Sequence, residues 1–122
     1  MPYHSGLVEI SPPPEAPVCQ AGDQLELTCS LSGTFLRWQF TAVRESGVPE
    51  TYMRTVSSGG VSSPFIINST IEITFVRLST QPLTSRMTIS SVTEGLNGVR
   101  VNCIDVAISE SAATTIRIIG GR

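Results

Sequence analysis

The chain has 122 residues, 40% of them hydrophobic and 15% charged, which suits one globular domain and is too short for two separate cores. Its formal net charge is -2, and all eight basic residues are arginine, so there is no basic field for a phosphate backbone and a nucleic-acid partner is not expected. No apolar run reaches the length that spans a bilayer, so any membrane attachment is expected through a segment outside this chain.

The opening Met1-Pro2-Tyr3-His4 has neither the basic nor the apolar region of a secretory signal and reads as the start of a trimmed fragment. Residues 1–9 are taken as a tail or the beginning of a first strand, 10–119 as a single domain, and 120–122 as a cut linker. Four prolines fall between Ser11 and Pro17. Proline cannot donate to a strand ladder, so this stretch is expected at a sheet edge or in a kinked crossing between sheets.

From Leu25 onward the hydrophobic period is two. Leu25, Leu27 and Cys29 alternate with Glu26 and Thr28; Leu36, Trp38 and Phe40 alternate with Arg37 and Gln39. The pattern returns at Ile71, Ile73 and Phe75, at Met87 and Ile89, at Val99, Val101 and Cys103, and at Ile116 and Ile118. Turn chemistry separates the runs at Ser32-Gly33, Gly47-Val48-Pro49, the Ser57–Ser63 stretch, Gln81-Pro82 and Asn97-Gly98. No segment carries the apolar stripe of an amphipathic helix. Many short strands punctuated in this way predict an all-β sandwich or barrel.

Chemistry for catalysis is not in evidence. His4 is the only histidine and sits in the tail, so neither a zinc ligand set nor a general base is available in the body of the chain. No Gly-x-Ser-x-Gly elbow occurs, and Glu72 and Glu94 are isolated carboxylates. The expectation is a chain with no metal, no cofactor and no enzymatic activity. Asn68-Ser69-Thr70 is a glycosylation sequon, which matters only in a secreted protein.

Cys29, Trp38 and Cys103 lie on the apolar phase of their strands, so the two sulfurs and the indole all face inward. The cysteines are 74 positions apart, and Trp38 follows the first by nine. This constellation resembles the immunoglobulin superfamily over roughly residues 16–119, with Cys29 on strand B, Trp38 on strand C and Cys103 on strand F. Ser85–Val92 is similar to that family's strand E leading into its E–F turn. The resemblance implies an immunoglobulin-like two-sheet antiparallel β-sandwich with an inter-sheet disulfide between Cys29 and Cys103, around a core that includes Trp38, Leu27, Ile89 and Val101. The 64 residues between Trp38 and Cys103 leave room for extra strands, as in variable-like or intermediate sets. Departures are plain: Val101 stands where the family usually has the tyrosine of its corner, and the last strand lacks a Gly-x-Gly bulge. An antibody or T-cell receptor chain is therefore not expected. The Asn97–Cys103 turn resembles domains of early-branching animals, the ectodomains of sponge receptor tyrosine kinases among them.

The same resemblance implies an extracellular recognition module on a cell-surface receptor or adhesion molecule, binding a protein ligand or a second copy of itself. A structural spacer is the alternative. Gln39, Ile104 and Val106 are the candidate interface residues, with Ile104 and Val106 read as facing outward from strand F. Asp105 interrupts the apolar alternation there, either beyond the core near the F–G loop or paired with an arginine. Cys19 falls where the family's A′ strand pairs with strand G. It is either a small buried apolar filler, a free thiol, or an interchain or interdomain bridge.

Overall fold

Alternating apolar residues form strands because successive side chains on a pleated backbone point to opposite faces, so one face can be buried while the other meets water. In the computed structural model, which describes residues 8–11, 18–43, 46–57, 59–61, 65–68 and 71–119, each predicted alternation lies in or borders a strand. The strands are β1 (Val8–Ser11), β2 (Val18–Gln20), β3 (Leu25–Leu31), β4 (Phe35–Val43), β5 (Pro49–Ser57) and β6 (Gly60–Val61). They continue with β7 (Phe65–Asn68), β8 (Ile71–Thr80), β9 (Leu83–Ile89), β10 (Arg100–Asp105), β11 (Glu110–Thr115) and β12 (Arg117–Ile119). A single 3-10 turn, Glu94–Leu96, is the only helical piece among the described residues.

One five-stranded sheet runs β1-β3-β9-β8-β7 and a second runs β11-β10-β4-β5-β6; β12 and β2 form a two-stranded ladder. Pairing within both five-stranded sheets is antiparallel. The β2–β12 ladder departs from the antiparallel expectation. It is parallel, with Cys19 opposite Ile118. No hairpin joins these strands, which lie at opposite ends of the chain, so nothing forces them antiparallel. The proline run at 12–17 falls outside the described residues, as does His4.

The inward faces meet in one core that includes Leu27, Leu36, Trp38, Val56, Ile73, Met87, Ile89 and Val101, all essentially inaccessible. Val8 and Ile10 are also buried, so the core already draws on β1. The Cys29–Cys103 disulfide ties β3 to β10 across the two sheets, with a Cα–Cα separation of 6.5 Å. A loop of that length is held by roughly 4 kcal/mol in the chain-entropy account, a large share of a stability of about 5–15 kcal/mol.

Beside the disulfide runs a second, polar link. Ser85 of β9 is the register partner of Cys29, and Trp38 of β4 is the register partner of Cys103. Trp38 Nε1 donates to Ser85 Oγ at 3.0 Å, fully buried. The four residues therefore form a square: two edges are ladder neighbours, one crossing is covalent and the other is a hydrogen bond. An indole N–H buried without an acceptor is costly, so Ser85 is what allows a tryptophan at the centre.

Candidate functional site

The outward face of the β11-β10-β4-β5 sheet follows from the register. Asn102 lies opposite Gln39 and Ala113, Gln39 opposite Met53, and Ile104 opposite Arg37 and Ser111. Gln39 and Ile104 are half-buried on this face. Val106 corrects the sequence expectation: β10 ends at Asp105, and Val106 opens the four-residue turn to β11. The strand stops there because Asp105 caps the turn. Its carbonyl accepts from Ser109 N at 2.8 Å and its Oδ1 from Ala107 N at 3.2 Å, with Ser109 in the left-handed region at φ 59°.

Asp105 is buried, 2% exposed, beneath the β3–β4 turn. A Cβ on Gly33 would lie 2.5 Å from its Oδ2, so the glycine makes room for the carboxylate. The open question about Asp105 is thus answered by the turn rather than by an arginine.

Val106 remains tied to the sheet, its N–H donating to the Phe35 carbonyl at 3.3 Å. Phe35 is 49% exposed, Val106 36% and Ile108 50%. With Ile104 diagonal to Phe35 on the ladder, the strand ends and the adjoining turn present four apolar residues at this end of the face, beside Arg37, the register partner of Ile104. Phe35 was legible in the sequence, since it sits in the outward phase of Leu36-Trp38-Phe40, but it was not singled out. Met53 and Val43 are further exposed apolar residues on the same face.

The opposite end of the face is polar and concave. β10 accompanies β4 only as far as Val101 opposite Phe40, whereas β4 goes on with β5 to Val43 opposite Pro49. Upstream of β10 the chain is drawn away. Ile116 N donates to the Val99 carbonyl at 2.9 Å, Gly98 N to the Ile116 carbonyl at 2.8 Å, and Val99 N to the Leu96 carbonyl at 3.1 Å. Gly98 has φ 86°, which the turn requires of a residue without a Cβ. The splay opens a cleft of about 400 Å³ between the end of β4 and the turn before β10. Gln39, Thr41, Asn97, Arg100 and Asn102 supply its polar side chains, and Arg100 is the only charged one among the described lining residues.

Cys19 is a half-buried free thiol whose Sγ donates to the Arg117 carbonyl at 3.7 Å. Burial pushes its pKa up, and the nearby Asp23 carboxylate adds to the rise. Asn68 ends β7; Ser69 and Thr70 of its sequon lie outside the described residues. Among the described residues no group of acidic, histidine and cysteine side chains could hold a metal ion, and no helix is long and apolar enough to cross a membrane. Neither protein-family models nor curated protein sequences give a match to this chain.

Proposed function

We propose that this chain is an immunoglobulin-like domain of variable or intermediate type, held outside the cell on a receptor or adhesion molecule, and that it recognises a protein surface through the β11-β10-β4-β5 face. Support for the fold assignment comes from the strand orders of the two five-stranded sheets, the disulfide between them beside a buried tryptophan, and the parallel β2–β12 ladder. The disulfide is also what suggests an oxidising compartment.

The observation that carries the recognition role is the apolar cluster of Phe35, Ile104, Val106 and Ile108. Scattered apolar surface residues are ordinary, but four at one end of a sheet face, two on strands and two in the adjoining turn, are the pattern of a contact site. A second copy of the chain presents the same four apolar residues and is the partner of this reading; the Arg37 guanidinium opposite Ile104 is the like charge that such a pairing keeps apart. A spacer domain has no use for the cluster.

Methyl resonances on dilution test the proposal. Contact through this face predicts that Ile104, Val106 and Ile108 methyl signals move together across about a hundredfold dilution, while core methyls such as those of Ile73 stay fixed. Invariant methyl signals at all three of these residues would favour the spacer reading.

A further inference from the structure

The polar cleft lies apart from the apolar cluster and has its own chemistry, which goes beyond recognition of a protein surface. Gln39, Arg100 and Asn102 make no side-chain hydrogen bond or ion pair among the described residues. Asn97 is half-used: its Oδ1 accepts from Ile118 N at 2.8 Å, which fixes the side chain and leaves its amide N–H groups unspent. Thr41 Oγ1 is engaged with Thr51 Oγ1 at 2.8 Å. The cleft thus offers one guanidinium and the carboxamides of Gln39, Asn97 and Asn102, with no carboxylate among its described lining residues, in a chain of net charge -2.

We infer that this cleft binds a carboxylate-bearing sugar residue. The guanidinium of Arg100 has the fork geometry that pairs with a carboxylate through two parallel hydrogen bonds. The carboxamides of Gln39 and Asn102 each present a donor and an acceptor, which matches a hydroxyl group and is wasted on a simple anion. A phosphate or an isolated acidic side chain would use Arg100 and leave these acceptors without partners. Val43 and Val99, also in the lining, give the C–H face of a sugar ring an apolar wall. Beyond Phe40, the backbone of β4 on its β10 side has no ladder partner among the described residues and adds further polar groups. At about 400 Å³ the cleft is at the small end of ligand pockets and suits one sugar residue rather than an extended chain.

The test is a titration of the isotope-labelled, disulfide-intact chain with methyl glucuronide, methyl glucoside, acetate and N-acetylglutamate amide in separate series. Side-chain amide signals of Gln39, Asn97 and Asn102 shift saturably with the glucuronide and only weakly with the other three. Arg100→Gln weakens that binding roughly tenfold or more while the backbone spectrum stays native, since the Arg100 side chain is exposed and makes no hydrogen bond or ion pair among the described residues. Asn102→Ala, on the other wall, weakens it without abolishing the carboxylate preference. Glucoside binding as tight as glucuronide would overturn the inference, as would acetate or the glutamate amide matching the glucuronide, an unaffected Arg100→Gln variant, or the absence of any saturable shift. None of these results bears on the apolar cluster, whose test uses different residues and no ligand.

Discussion

Ser85 shows how much can rest on one small polar side chain. Nothing in Ser85-Arg86-Met87 marks it as important, because a serine on the inward phase of a strand reads as a flaw in the apolar pattern. It becomes intelligible only when β9 is set against β4 and its hydroxyl meets the Trp38 indole. Ser85→Ala leaves that N–H buried and unpaired, and the expected loss is about 2 kcal/mol in urea unfolding. Ser85→Thr keeps an acceptor and retains more of the stability than the alanine variant. Equal stability of wild type and Ser85→Ala would show that the hydrogen bond contributes nothing. Asp105 was illegible for a similar reason: a carboxylate next to a core cysteine gives no hint that a glycine from another turn vacates space for it. Val101, in contrast, could be placed from alternation alone, and it is wholly buried.

At the level of elements, legibility followed the number of buried positions. β3, with Leu25, Leu27, Cys29 and Leu31 all buried, declares its period in the sequence. β5 buries only Tyr52 and Val56, four apart, so no alternation is visible along its nine residues. β11, Glu-Ser-Ala-Ala-Thr-Thr, is built of small side chains that register faintly on any hydrophobic scale. The position of Cys19 beside the last strand was readable, but its chemistry depends on the β2–β12 ladder. Because burial raises its pKa, the folded state favours the neutral thiol. Iodoacetamide alkylation of the native chain should therefore set in at higher pH than alkylation of the denatured chain. By linkage the thiol's contribution to stability is full below the unfolded pKa and is lost as pH rises through the folded one. Coincident pH profiles for native and denatured chain would contradict the buried, neutral thiol.

On the scale of the whole molecule, the two sheets are joined through their centre by a disulfide and an indole–hydroxyl bond, and the outer surface of one sheet is divided between an apolar end and a polar cleft. Rigidity at the centre suits such a face to the proposed recognition, since Phe35, Ile104, Gln39, Arg100 and Asn102 are held on strands, with Val106, Ile108 and Asn97 in the adjoining turns. That division of the face could not be read from sequence. It depends on the chain parting from β4 upstream of Val101, which in turn depends on where Val99 and Ile116 bond.

The proposed contact role of this face is tested most directly by sedimentation velocity of a Cys19→Ser chain, which cannot form an intermolecular bridge through that thiol, over about a hundredfold range of concentration. The account predicts a dimer that dissociates on dilution, and its loss in Cys19→Ser/Val106→Asp with the disulfide-bonded fold intact. A chain that sediments as a monomer throughout, with Val106→Asp making no difference, would contradict it.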